Sequence, residues 1–391
     1  MIDPLRVGFN ARLLSHPSLR GWNRYAINLL AHLPAQGVRP VLFAPAPIHP
    51  DHLARWPVGS FEVVVAPPMR YLVWEQFWLP RQCRRERIDV LHSTFHFGLP
   101  IVAPCPMVLT LHDAIDAVDS ARRAELSARL RPAALLASSM AWASRIRADH
   151  VIAVSNHAKG DLIRHLRIPA QRITVTYEAA DPHFHEPIAQ WQRSAVRLKY
   201  GLGRRYVFYV GGWERRKNVP FLLRGFATAG LDDVDLCLAG GTESQKAELL
   251  ELAEALGIVD RLKLSGWVDD ADLPALYAEA LGFAYPSEYE GFGLQLCEAM
   301  ACGCPVLAAR ATSLPEILGD GGDTFTLADP SELAESIRRL ATDDGYRADS
   351  ISRGRRRAAL FSWDNCAAET AAVYRRLANA RPARAPARLE S

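Results

Sequence analysis

Two glutamates eight positions apart, Glu290 and Glu298, sit in the stretch YPSEYEGFGLQLCEAMACGCPVLAAR from Tyr285 to Arg310. Paired carboxylates can act as an acid/base dyad in glycoside chemistry, or they can hold ligand hydroxyls. Glu290 opens a glycine-broken loop, Glu290-Gly291-Phe292-Gly293, and Leu294 starts the helix behind it. Gly291 and Gly293 carry no Cβ, so backbone there can approach a ligand closely and take φ > 0. The start of that helix offers unpaired N–H groups and a positive dipole end, which suit an anion. Glu298 lies on an apolar helix face beside Leu296 and Met300. That setting favours hydrogen bonding to a hydroxyl or to backbone over proton shuttling. Two such carboxylates around an anion-friendly turn fit a sugar nucleotide.

Three further groups of residues could carry chemistry. Val210-Gly211-Gly212-Trp213-Glu214-Arg215-Arg216-Lys217-Asn218 follows a strand. Gly211 and Gly212 let the chain turn tightly, while Arg216 offers bidentate and Lys217 point-charge contact to phosphate. A solvent-exposed basic turn would use the same residues. Leu111-His112-Asp113 ends an apolar strand; either the pair faces a ligand, or the histidine is a satisfied core residue that caps the next turn. The loop from Asn10 to Tyr25 is long, and Gly21-Trp22-Asn23-Arg24-Tyr25 opens the helix after it. It could reach over a ligand, or be an ordinary surface loop. Gly240-Gly241-Thr242 is a fourth glycine turn, consistent with a tight βα connection alone.

These residues need elements to hold them. Short apolar runs alternate with 3.6-residue periodicity along the whole chain, as in Trp22, Tyr25, Ala26, Leu29, Leu30 and Leu33. Such alternation predicts an α/β protein with parallel sheets covered by helices. The pattern runs twice, so we expect two Rossmann-like βαβ domains facing an interdomain cleft, with ligands beyond the carboxyl ends of the strands. The expected boundaries are residues 1–190 and 191–361, a helix over 362–378, and a disordered Ala/Arg/Pro-rich tail over 379–391. The segment Glu178–Arg205 reads as the linker.

The chain has 391 residues, 49% hydrophobic and 23% charged, with a formal net charge of +3. These are the proportions of a soluble protein with a large core. A charge this small gives no argument for nucleic acid. Seven cysteines without paired spacing predict free thiols in a reducing cytosol. No signal peptide and no membrane-length apolar run is evident. Trp74, Phe77, Trp78 and Arg81 are either core or a surface for a lipid-linked acceptor, with peripheral contact at the inner face of the cell membrane. No G-x-G-x-x-G follows the first strand, which argues against a dehydrogenase.

Taken together, the chain resembles the retaining glycosyltransferases of family four, which have the GT-B fold. The likeness covers nearly the whole sequence. It is carried by the Glu–seven residues–Glu motif in PSEYEGFGLQLCEAMACGCPVLAA, by Val210–Asn218, and by ITVTYEAADPHF at Ile173–Phe184. Gly266-Trp267-Val268 with Leu273–Tyr277, TSLPEIL at Thr312–Leu318, Phe361-Ser362-Trp363 and GWNRYAINLL add to it. The resemblance implies a catalytic set of Glu290, His112 and Lys217. It implies that Lys217 and Arg216, at the turn of Gly211 and Gly212, hold the donor diphosphate. Glu290 and the backbone of Gly291, Phe292, Gly293 and Leu294 would bind donor-sugar hydroxyls, Glu298 the ribose, and Gly266 to Val268 the base. His112 would lie near the donor sugar and the forming bond, with Gly21, Asn23, Arg24 and Asp113 on the phosphate or acceptor side. No cofactor and no metal is expected, since Arg, Lys and a helix N-terminus can stabilise a leaving diphosphate. The partners implied are a nucleotide-diphosphate sugar, with GDP-mannose suggested by the phosphate turn, and a glycan or lipid-linked acceptor. A final helix would cross back to the first domain. Two positions depart from the family pattern: Gly212 stands where an Arg is common, and Asn23 where a Gly is common. A GT-B epimerase or phosphorylase and a non-catalytic nucleotide-sugar binder remain the alternatives.

Overall fold

A computed structural model of the chain describes residues 4–17, 21–118 and 132–380, the side chains of 132–137 excepted. It divides into two compact units, Met1–Glu178 with Trp363–Ser391, and Ala179–Ser362. The disordered tail expected after 378 falls outside the described residues from 381 onward, as does part of the long helical region expected across 121–148.

The first unit is built on a seven-stranded parallel sheet. Its strands are β1 (Leu5–Asn10), β2 (Val38–Ala44), β3 (Glu62–Val65), β4 (Val90–Ser93), β5 (Met107–Leu111), β6 (His150–Ala153) and β7 (Ile173–Val175). They lie in the order β3-β2-β1-β4-β5-β6-β7. Every residue of β4, β5 and β6 is buried, as helices on both faces require. The closing helix Trp363–Asn379 belongs to this unit and buries Tyr374 fully. The helix Asn156–Leu166 starts at Ser155, whose Oγ accepts from Ala158 N at 2.9 Å. Over 71–85 the chain winds from α (Tyr71–Val73) through a π turn (Trp74–Trp78) back to α (Leu79–Arg85). Pro80 has no N–H to donate and its ring crowds the carbonyl four residues back, so the helix widens ahead of it. That turn splits the aromatic set: Trp74 is fully buried, Trp78 half-buried and Phe77 73% exposed.

The second unit holds a six-stranded parallel sheet of β8 (Arg205–Val210), β9 (Val234–Ala239), β10 (Leu262–Gly266), β11 (Gly282–Tyr285), β12 (Val306–Ala309) and β13 (Asp323–Phe325). Their order is β10-β9-β8-β11-β12-β13. In both sheets the strand order reverses once, between β1 and β4 and between β8 and β11. The residues read as a linker belong instead to this unit from Ala179 onward. The helix Gln190–Lys199 is tied to it by Arg193 and Arg197 on Glu279, at 3.5 and 3.4 Å, and by Lys199 on Asp269 and Asp272, both at 2.6 Å. Phe184 is buried in a T-shaped contact with Tyr277. The division at Glu178 therefore precedes the expected one at 190. Among the described residues no helix is long and apolar enough to cross a membrane.

Candidate active site

Lys217 and Glu290 are 73 residues apart in the chain and 2.6 Å apart in space. Strand order brings them together: β8 and β11 are neighbours, with Gly282 opposite Val207 and Phe283 opposite Phe208. The short 3-10 turn Arg215–Lys217 after β8 thus lies beside the loop after β11. The two are stitched by backbone, with Glu288 N donating to the Arg216 carbonyl at 2.7 Å. Glu290 is also held from a third segment. Its N–H donates to Thr312 Oγ1 at 3.0 Å, and Ser313 Oγ donates to the Glu290 and Phe292 carbonyls, both at 2.9 Å. Thr312 takes a left-handed φ of 49°, a strained backbone for a β-branched residue.

Four donors converge on one carboxylate oxygen. Glu290 Oε1 accepts from Lys217 Nζ at 2.6 Å, Ser287 Oγ at 2.6 Å, Tyr285 OH at 3.0 Å and an Arg216 guanidinium nitrogen at 3.2 Å. Lys217 Nζ also donates to Tyr285 OH at 2.7 Å. An ammonium has three protons, so these two bonds leave one for a ligand. Lys217 keeps 8% and Glu290 13% of its side-chain surface exposed. Burial works to raise the Glu290 carboxyl, but Lys217 and then Arg216 outweigh it and hold the group below the ordinary glutamate range. Burial pulls the Lys217 ammonium below its ordinary range, against the attraction of Glu290. The 2.6 Å contact and the second cation of Arg216 favour the ionised pair.

Behind the loop, the helix Leu294–Ala301 starts at Gly293, which takes a left-handed φ of 96°. Of the two loop glycines expected to use positive φ, only Gly293 does. A Cβ there would come within 2.7 Å of Leu314 Cδ2. Glu298 is only 4% exposed and accepts from Tyr277 OH at 3.1 Å. The glycine turns at the ends of β8, β9 and β10 pack on one another. A Cβ on Gly240 would strike the Gly211 carbonyl, one on Gly241 the Trp213 ring, and one on Gly212 the Glu214 carboxylate. Gly266 has open space around it and a φ of 65°, Trp267 after it is 76% exposed, and Val268 is buried. Asn218 stands at the start of the helix Val219–Ala229, and its side chain makes no capping bond there.

In the first unit His112 follows β5. Its Nδ1 is 3.0 Å from Glu178 Oε1 and its Nε2 3.2 Å from the Thr94 carbonyl. Burial works to lower the ring, yet the hydrogen bond and charge of Glu178 raise it above the ordinary histidine range. Asp113 does something else: its Oδ1 accepts from Ile115 N at 3.0 Å, capping the short helix Ile115–Val118. Asn23 is 2% exposed and donates to the Leu13 carbonyl at 3.1 Å, which ties the loop to its helix. Arg24 is 9% exposed, while Gly21 is exposed with nothing near its Cβ direction. Arg12 lies over the rings of Tyr71 and Phe97, 4.7 and 4.6 Å from their centroids. The sequence reading missed Glu178, Tyr285, Ser287, Thr312 and Ser313. Glu178 and Thr312–Ser313 lie in stretches already marked as matching the family; nothing in residue type alone singled out Tyr285. Among the described residues no three His, Cys, Asp or Glu side chains come together as a metal site.

Two family models match the chain. Residues 19–184 match Glycosyltransferase Family 4, and residues 194–357 match Glycosyl transferases group 1. O-antigen chain mannosyltransferase B of Escherichia coli is 36% identical over 234 residues, which are 58% of this chain and 60% of that protein. D-inositol 3-phosphate glycosyltransferase of Salinispora arenicola is 32% identical over 244 residues, 58% of this chain and 54% of that protein. The matches thus span little more than half of each relative. Among solved structures, Anabaena HepE in complex with UDP-glucose superposes with a TM-score of 0.74 at 20% identity, covering 95% of this chain and all of that one. That likeness establishes the fold. With one family model on each unit and a reversing parallel sheet in both, the chain belongs to the family 4-type glycosyltransferases and has their two-domain GT-B fold.

Proposed function

We propose that the protein moves a sugar, with retention at its anomeric carbon, from a nucleotide-diphosphate donor to a hydroxyl of a glycan or lipid-linked acceptor in polysaccharide or glycoconjugate synthesis. The observation that carries this reading is the Arg216–Lys217–Glu290 cluster beside the start of the helix at Gly293. Departure of a nucleoside diphosphate develops negative charge on the bridging oxygen. Arg216 and the remaining Lys217 proton oppose that charge in a site with little water, where such bonds count most. Glu290 Oε2 and the backbone N–H groups of Gly291 to Gly293 take donor-sugar hydroxyls. Glu298 takes ribose, sharing its carboxylate with Tyr277, and the Gly266–Val268 turn takes the base. His112 acts beside the donor sugar, and Gly21, Asn23, Arg24 and Asp113 belong to the acceptor side. The acceptor oxygen bonds to the anomeric carbon on the face that the diphosphate leaves, and its proton goes to the departing phosphate. The residues themselves supply the charge stabilisation, so no metal enters the step.

Similarity to a mannosyltransferase supports a mannosyl donor, and the phosphate turn Val210–Asn218 suggests GDP as its nucleotide. A thermal-shift panel of GDP, UDP, ADP and dTDP sugars tests it, because a ligand that binds only the native state raises its melting point. At a hundred times its Kd, the donor should add about 2.7 kcal/mol. GDP-mannose should give the largest shift, and chelator should leave turnover unchanged. If no nucleotide sugar shifts the melt, or if K217A/E290A turns over normally, the reading fails.

A further inference from the structure

We propose that Glu178 is a positioning residue: together with the Thr94 carbonyl it clamps both ring nitrogens of His112, which then meets its substrate as a fixed imidazolium rather than as a proton acceptor. The proposal rests on the functional reading above for the role of His112 in transfer, and on geometry for the clamp itself. A carbonyl oxygen only accepts, so the 3.2 Å contact to Thr94 O requires a proton on Nε2. A carboxylate also only accepts, so the 3.0 Å contact to Glu178 requires a proton on Nδ1. A ring with both protons carries a positive charge, and the 3% exposed Glu178 neutralises it.

The surroundings keep the ring in one orientation. The Tyr25 ring stands perpendicular to the His112 ring at 5.0 Å between centroids, with its own hydroxyl 3.2 Å from Thr110 Oγ1. Thr110 in turn meets His92 Nε2 at 2.8 Å, and His92 Nδ1 meets Tyr374 OH at 2.6 Å. The other titratable groups facing the pair are Asp113, whose carboxylate caps Ile115, and Cys366, 3.7 Å from Thr176 Oγ1. His92, buried among neutral hydroxyls, is held down to about 3 and adds no charge near neutral pH. Glu178 is therefore the anion that pairs with His112.

The chemistry follows from the charge. An imidazolium cannot accept the proton of the attacking hydroxyl, so that proton leaves with the phosphate. What the ring can supply is a positive charge and a short N–H donor for an oxygen of the donor sugar, with Thr94 O giving up its bond when the ligand arrives.

Two independent readouts test the clamp in the full chain. Selective 15N-histidine labelling, with H112Q to identify the signal, reports the protonation of the ring without any substrate. The expected wild-type signal at pH 7 has both nitrogens protonated, and in E178Q the ring loses one proton at lower pH than in wild type. In turnover assays kcat should fall as pH rises through the His112 transition, and that fall should move to lower pH in E178Q. At pH 7.5 E178Q should lose about ten- to a hundredfold in kcat with the donor KM changed far less. H112Q/E178Q should be no slower than H112Q. A neutral His112 at pH 7 in the wild-type spectrum, or an E178Q pH profile that overlays the wild type, overturns the proposal. If no nucleotide sugar is turned over, the functional reading fails while the nitrogen spectra still decide the clamp. If E178Q does not fold, the wild-type spectrum decides it.

Discussion

Glu290→Ala should destabilise the second unit far beyond the effect of losing a surface glutamate. The substitution strands Lys217, 8% exposed, with the Tyr285 hydroxyl at 2.7 Å, the weaker attraction of Glu214 and the like charge of Arg216. Breaking a buried ion pair from one side costs about 3–5 kcal/mol, because the remaining charge has lost both its water and its partner. For a unit of about 180 residues, each kcal/mol lowers the melting point by about 2–4 °C, so the expected fall is about 6–20 °C. Lys217→Met removes the stranded charge while keeping the buried stem. K217M/E290A should therefore regain much of the loss, with a coupling of about 2 kcal/mol or more between the two sites. The effect also has a pH signature. Folding lowers the Glu290 carboxyl below its ordinary range, so its contribution is fully present above that range and is lost as pH falls through the lower folded value. Wild type and E290A should accordingly converge in acid. Melting curves of the four proteins from pH 3 to pH 8 measure all of this. A melting point for E290A within about 2 °C of wild type, or strictly additive costs in the double mutant, would refute the buried pair.

Two other outcomes follow from the same structure. Gly293→Ala forces a side chain into left-handed backbone and brings its Cβ within 2.7 Å of Leu314 Cδ2, so chemical denaturation should register a loss of about 1–3 kcal/mol; no change in midpoint would show that the turn relaxes. His92 is fully buried and lowered to about 3, so the unfolded chain binds its proton first and the stability of the first unit should decline as pH drops from about 6.5 towards 3. The full difference is about 4–5 kcal/mol. H92Q should flatten that slope, and an unchanged slope would assign the acid sensitivity to another group.

The candidate site was legible in the sequence where chemistry demands a residue type, and illegible where topology selects a partner. Lys217 and Glu290 stood out because cations after a strand and a carboxylate on a glycine loop have few uses. That they would touch each other depended on β8 lying next to β11, which no local spacing encodes. Tyr285 looks like one more buried aromatic at a strand end until its hydroxyl is found between an ammonium and a carboxylate. The same limit explains why adjacent residues parted company. His112 and Asp113 form one polar pair in the chain, but the first turns toward Glu178 and the second is spent on the amide of Ile115. Composition hid the attachment of one helix for a related reason. The helix Gln190–Lys199 is rich in Arg and Lys and looks solvated, yet Glu279, Asp269 and Asp272 neutralise it on the surface of the second unit. Asp113 apart, whose partner is two residues on, each charge that the sequence displays here has its meaning set by a residue 66 to 86 positions away in the chain. Glu178 is the clearest instance, 66 residues from the histidine it orients. If its clamp holds, the motif residues of this chain work because unremarkable neighbours fix their protonation state as well as their position.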